Sequence, residues 1–175
     1  PFMGPGTASE AVDHRNTSLG YADRMDEKYD MVRTLRRGRF RYHRNYHAYY
    51  PDSLQNNYRY NMLAYKQWRR LYHAGELNAA QKQFFEPKQA EALYDLSKDP
   101  HETTNLANDP EYAKVLRSMR HELHEQLSTM PDLSFYPESE LVNRAMNNPI
   151  RFGRDHQAEI EKLVDIASLQ TQSFK

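Results

Sequence analysis

Cysteine is absent from this chain, which excludes disulfides, thiolate metal sites and a cysteine nucleophile within it and leaves the redox compartment open. Net charge is absent too. The 24 Lys and Arg balance 24 Asp and Glu, so no global field draws in nucleic acid or an acidic membrane. No apolar run approaches the ~18 residues that cross a bilayer, so no transmembrane segment is expected here. Glycine is scarce, with 6 in 175 residues. The first residue is Pro1 and no charged-then-apolar leader follows it, so the sequence reads as a piece of something longer or a processed product. What is abundant is aromatic: 13 Tyr and 7 Phe at a mean hydropathy of −1.00 describe a polar chain whose core leans on rings. The length suits one domain, or one small domain with an appendage.

Residues 1–20 carry Gly, Pro, Ser, Thr and Asn without a period and read as a loop or a torn end. From Tyr21 to about Tyr46 the pattern is strand-like. Met31 to Leu35 and Phe40 to Tyr42 flank Arg36-Arg37-Gly38-Arg39, which predicts a hairpin over about 29–46. Val32 and Thr34 on one arm are expected to share a buried face with Phe40 and Tyr42 on the other. A helix is expected from about Tyr60 to Ala74, with Met62, Tyr65, Trp68, Leu71 and Tyr72 inward and Gly75 ending it. Asn78 and Gln81 form a capping-box pattern before Phe84-Phe85, and Pro87 stops that short helix. Tyr112, Val115, Leu116, Met119, Leu123 and Leu127 make one apolar stripe, predicting an amphipathic helix over about 110–129 closed by Pro131. In the tail, Pro137 opens a helix with Leu141, Val142, Ala145 and Met146 inward. Asp155 caps another carrying Ile160, Leu163, Val164 and Ala167.

The most informative stretch is LYDLSKDPHETTNLANDPEY, Leu93 to Tyr112. Leu93, Tyr94 and Leu96 are strand-type residues; Asp99-Pro100 is a turn; Asp109-Pro110 caps and opens a helix. Asn105 is placed to cap the turn into Leu106. A short hydrophobic strand followed by D-x-x-x-D-P-x-E-x-x-N-L-A resembles the C-terminal signature of the sulfatase family, in the alkaline phosphatase superfamily. Leu93, Tyr94, Asp95, Leu96, Asp99, Pro100, Glu102, Asn105, Leu106 and Ala107 all fit it. Tyr21 to Tyr46, with its R-M-D-E-x-Y-D stretch, and Leu71 to Leu96 are similar to a bacterial branch of the family. FYPESEL, Phe135 to Leu141, resembles a linker that precedes helical repeats in some members.

The resemblance implies an α+β fold: a small antiparallel sheet, made of the hairpin and a strand at about 92–96, with helix 110–129 across it and a helical tail. It implies a torn end over 1–20, a C-terminal subdomain over 21–131, and a linker with helical extension over 132–175. It implies that the parent is a sulfuric ester hydrolase, cleaving sulfate esters or N-sulfate of a sugar or small organic substrate through formylglycine and a bound Ca²⁺. An exported parent, periplasmic or extracellular, goes with it. The family's nucleophile motif, C-x-P-x-R or S-x-P-x-R, is not in this chain. Catalysis and Ca²⁺ are therefore expected in sequence outside it, and this piece alone is expected to be inert, with no catalytic and no metal residue of its own.

Arg24, with Asp26 and Glu27 behind it, is the candidate substrate contact, because a planar guanidinium fork holds a sulfate or sugar hydroxyl through two charge-assisted bonds. The plainer reading is a surface strand end whose charges pair with each other or with water. Arg33, Arg36, Arg37, Arg39, Arg41 and Arg44 offer a track for a polyanion, with Tyr42 and Tyr46 stacking on bases. The balanced net charge favours a two-stranded ribbon whose outward residues are Arg because its inward ones are aromatic, and no nucleic-acid or membrane partner is expected. His121-Glu122-Leu123-His124-Glu125 places its second His at i+3 rather than at the zincin's i+4, so a surface is expected there. The Tyr and Trp residues of 58–72 form a carbohydrate platform only if exposed; their helical spacing favours core. Asn16-Thr17-Ser18 matches the glycosylation sequon, a pattern frequent by chance. A purely structural module and a phosphodiesterase-type relative in the same superfamily are the remaining alternatives.

Overall fold

A computed structural model describes residues 16–25 and 27–170. Four strands, β1 Thr17–Met25, β2 Lys28–Arg37, β3 Phe40–Asn45 and β4 Glu91–Asp95, form one antiparallel sheet in the order β1-β2-β3-β4. Helices α1 Asn57–Asn61, α2 Leu63–His73 and α3 Ala79–Lys82 lie between β3 and β4. After β4 come α4 Ala113–Thr129, a one-turn α5 Glu138–Glu140 that runs into a π turn over Leu141–Ala145, α6 Pro149–Asp155 and α7 Gln157–Gln170. The expected hairpin, third strand and crossing helix are all present. β1 starts at Thr17, four residues ahead of the stretch that reads as strand.

The β2–β3 turn decides which residues are inside. Gly38 sits at φ +58, a left-handed conformation that a residue without Cβ adopts freely, and the two-residue loop makes Arg37 and Phe40 partners. Leu35 then pairs with Tyr42 and Arg33 with Arg44. The expectation that Val32 and Thr34 share a face with Phe40 and Tyr42 is overturned. Val32 pairs with Asn45 and Thr34 with His43, on the outer face, because a shift of one residue turns every side chain over.

Leu35, Tyr42 and Leu93 run across the inner face and are fully buried. Helix α4 lies over them with Leu116, Met119, Leu123 and Leu127 inward. Its entry is a 3-10 turn over Pro110–Tyr112, where Asp109 accepts the Glu111 N–H at 2.9 Å. The tail completes this core: Phe152 of α6 and Ile160 and Val164 of α7 join the same cluster. Gly153 permits the close approach, since a Cβ there would stand 2.9 Å from Pro131 Cβ. Helix α6 escaped the sequence reading. Asn148, which accepts the Arg151 N–H at 3.0 Å, followed by Pro149 was the available signal. Val142 and Met146, expected inward, are exposed, because the π turn sets Leu141 and Ala145 on the core side and rotates their neighbours out.

A second cluster gathers Tyr65, Leu77 and Phe85 with Tyr60, Trp68, Leu71, Tyr72 and Phe84. Tyr72 stacks on Phe85 at 4.5 Å and Trp68 on Phe84 at 4.6 Å, so most of the 58–72 rings are core rather than platform. The helix expected from Tyr60 is broken at Met62, whose ψ of 127 is extended and whose side chain is exposed. Gly75, at φ +73, and the Asn78–Gln81 capping box behave as read.

Five of the six hairpin arginines face carboxylates. Arg33 is clamped between Asp23 (2.6 Å) and Asp132 (2.7 Å), Arg37 meets Glu122 (2.7 Å), Arg39 meets Asp95 (3.3 Å), Arg41 meets Glu102, and Arg44 meets Glu91 (3.3 Å). A polyanion would have to displace these partners, which argues against a polyanion track. Arg36 is exposed and, among the described residues, reaches only the Gly38 carbonyl, at 3.4 Å. The contrast is measurable by urea denaturation. Arg33→Ala strands two partly buried carboxylates and is expected to cost about 3–5 kcal/mol. Arg36→Ala is expected to change stability by less than about 0.5 kcal/mol.

Candidate functional site

The Leu93–Ala107 signature is a clasp. Asp95 Oδ1 accepts from Ser97 N (3.2 Å) and Oγ (2.6 Å), which turns the chain out of β4. Asp99 accepts from Thr104 N (2.8 Å) and Thr103 Oγ1 (3.1 Å), closing the next turn. Glu102 stands at φ +55, an unusual conformation for a non-glycine residue, and its carboxylate is held by Arg41 with His43 Nε2 at 3.3 Å. Asn105 finishes the fold-back: Oδ1 accepts from Leu93 N and Ala107 N, both at 2.9 Å, while Nδ2 donates to Gln89 Oε1 (2.7 Å) and the Glu91 carbonyl (3.0 Å). The cap read from the sequence is present, and it also fastens the loop to β4. These four polar side chains of the signature build the loop.

Of the predicted contact residues, Arg24 and Glu27 flank the β1–β2 turn and meet different partners. Arg24 is exposed and donates to both oxygens of Glu138 at 2.8 and 2.9 Å, a pairing across 114 positions that the sequence does not reveal. Glu27 is exposed and accepts the Asn57 N–H at 3.3 Å. Asp26 lies outside the described residues. Asp23 turns the other way, onto Arg33, and also accepts from Ser134 Oγ at 2.9 Å.

Next to Glu27 begins a groove of about 600 Å³ on the outer face of the sheet. Lys28, Asp30, His43, Asn45 and Tyr94 line it from the strands, and Trp68 and Phe84 from the helical segment. Lys28 and Lys88 share the Asp30 carboxylate, at 3.1 and 2.5 Å, and Lys28 reaches Asp52 at 2.7 Å. Burial pulls the Lys28 ammonium down, but Asp52 and Asp30 outweigh it and leave it raised. Burial likewise pushes Asp30 up, and Lys88, Lys28 and the Met31 N–H outweigh it and leave it lowered. His43 and the nearby His47 are both held below the usual imidazole range, chiefly by burial. Arg41 adds to the effect at His43 and Glu102 opposes it.

Of the zinc-like run, His121 is exposed and His124 lies 3.2 Å from Asp165. Among the described residues no three His, Asp or Glu side chains converge where a metal ion could be held, and no helix is long and apolar enough to cross a membrane.

No family model matches the chain. Over 127 residues, 72% of its length, it is 40% identical to the ulvan-active sulfatase of Formosa agariphila. The chain is a sulfatase homologue. It spans about a fifth (21%) of that relative. It is also 58% identical over 31 residues to the human N-sulphoglucosamine sulphohydrolase, a match covering 18% of this chain and 6% of that enzyme.

Two stability measurements probe this region. Asn105→Ala orphans the Leu93 and Ala107 N–H groups and is expected to lower stability by about 2 kcal/mol or more. The pH profile carries the second. The depressed imidazoles stay neutral in the fold while the unfolded chain takes up protons near 6.5, so stability falls as pH drops below that value. Asp30, lowered from 3.8, extends the loss at more acid pH, whereas the raised Lys28 withdraws its contribution only above 10.5. His43→Gln is expected to flatten the first part of the acid limb in denaturant titrations between pH 7 and 5.

Proposed function

We propose that this chain is the C-terminal subdomain of a sulfatase that removes sulfate from a saccharide, as an O-ester or an N-sulfate. The observation that carries the reading is the identity to the ulvan-active sulfatase across most of this chain, clasp included in the resemblance read from its residues. The second relative is named for N-sulphoglucosamine, a sulfated amino sugar, which supports a saccharide over other sulfate esters. Formylglycine and Ca²⁺ belong to the parent's remaining sequence. This chain has neither the Cys or Ser of the nucleophile motif nor, among the described residues, a cluster fit for a metal ion. No step of the reaction is assigned to its side chains.

What it contributes is a wall. Arg24, with Asp26 and Glu27 following it in sequence, is the proposed contact; it stands near the end of β1 and its guanidinium reaches Glu138 of the tail. The Arg24–Glu138 pair is exposed on both sides, and surface pairs of this kind contribute little to stability. In the full-length enzyme, Arg24→Ala is expected to lower kcat/KM on the sulfated saccharide about tenfold or more, the worth of a charge-assisted hydrogen bond. Arg24→Lys, lacking the planar fork, restores only part. Unchanged turnover on several substrates would show a purely structural role. The chain on its own is expected to leave p-nitrophenyl sulfate intact; enzymatic hydrolysis by the purified chain would overturn the assignment of catalysis to other sequence.

A further inference from the structure

We infer that the outer-face groove is a subsite for an unsulfated, hydroxyl-rich sugar residue adjoining the one that is desulfated. The inference rests on the sulfatase reading and adds what this part of the cleft takes. At about 600 Å³ the groove falls within the ~300–1,000 Å³ typical of small-ligand sites. Its two sides differ in chemistry: Trp68 and Phe84, stacked on each other, line one side with apolar carbon, while Lys28, Asp52, Gln89 and Tyr94 line the other with donors and acceptors. A pyranose has the same duality, with apolar C–H faces and a rim of hydroxyls.

Charge decides against a second sulfate. The lining carries two ammonium groups, Lys28 and Lys88, and four carboxylates, Asp30, Asp52, Glu86 and Glu102. The ammonium groups are committed to Asp30 and Asp52, and the pairing of Arg41 with Glu102 reduces the acidic excess without reversing it. An anion entering here would meet a surplus of negative charge; a neutral polyol would not. The polar side is also held in place before any ligand arrives. Asn45 donates to the Gln89 carbonyl at 2.6 Å, Gln89 Oε1 accepts from Asn105 at 2.7 Å, and the Lys–Asp cluster locks Asp30. Groups fixed in this way lose little freedom on binding.

The test uses the full-length enzyme and three substrates: p-nitrophenyl sulfate, a sulfated monosaccharide, and a tetrasaccharide that bears the same single sulfate. Ala80 is an exposed groove residue, and Ala80→Trp fills the space without removing a polar contact. The inference expects the ratio of kcat/KM on the tetrasaccharide to that on p-nitrophenyl sulfate to fall about tenfold in Ala80→Trp, with the melting temperature retained. It also expects the desulfated tetrasaccharide to inhibit the parent enzyme but not the filled variant. An unchanged ratio and unchanged inhibition in a folded variant would overturn it. So would Glu86→Lys selectively raising kcat/KM on a multiply sulfated tetrasaccharide, since that result would put a sulfate in the groove. Failure of the parent to cleave any of the three substrates would instead sink the sulfatase reading. Calorimetric titration of the desulfated tetrasaccharide then judges the groove by itself, and absence of heat that differs between parent and Ala80→Trp would overturn the subsite.

Discussion

The turn at Gly38 and Arg39 sets the parity of the whole sheet. Two residues between Arg37 and Phe40 put Leu35 opposite Tyr42, and the β3–β4 register then places Leu93 on the same row. That row is the floor on which α4 rests its Leu116, Met119, Leu123 and Leu127 stripe. The alternate residues, Asp30, Val32, His43 and Asn45, are thereby sent to the other face, where they line the groove. Core and candidate site are two sides of one register, and a turn one residue longer would exchange them.

A chain this polar still has to bury arginine. Glu91 at the head of β4 shows how: it accepts the Tyr42 hydroxyl at 2.5 Å and the Arg120 fork at 2.6 and 2.8 Å, with Arg44 at 3.3 Å. Burial disfavours its charge, yet Arg120, Tyr42 and Arg44 outweigh that and keep it lowered. Arg33 repeats the arrangement between Asp23 and Asp132. Such clusters are weak sources of net stability, because desolvation offsets much of the attraction, but a missing partner is costly. They tie strand to strand and sheet to helix at defined points. The basic look of the hairpin is a consequence of this internal pairing rather than of a partner outside.

The clasp after β4 explains why the sulfatase signature is so legible in the sequence. A short loop that doubles back on its own strand leaves several backbone N–H groups needing acceptors, and Asp95, Asp99 and Asn105 supply them at fixed offsets. Local hydrogen bonding of this sort is written in contiguous residues. The groove is not. Its members come from β2, β3, the α2–α3 segment and the residues before β4, and the pairing of Arg24 with Glu138 spans 114 positions.

By itself the amino-acid order determined what depends on near neighbours: the glycine turns, the capping box at Asn78, the Asp109-Pro110 helix start, the α4 stripe and the Asn105 cap. Each is a contact within a few residues or a period along one element. It determined the sulfatase likeness for the same reason, since that signature is a contiguous loop. Only the tertiary structure decided which face of the hairpin is inner, that the tail helices close the main core, and that five of the six hairpin arginines are internally paired. It alone assembled the Lys28–Asp30–Lys88 cluster against the Trp68 and Phe84 rings. Those outcomes rest on which distant segments meet, and no local preference of the chain encodes a meeting.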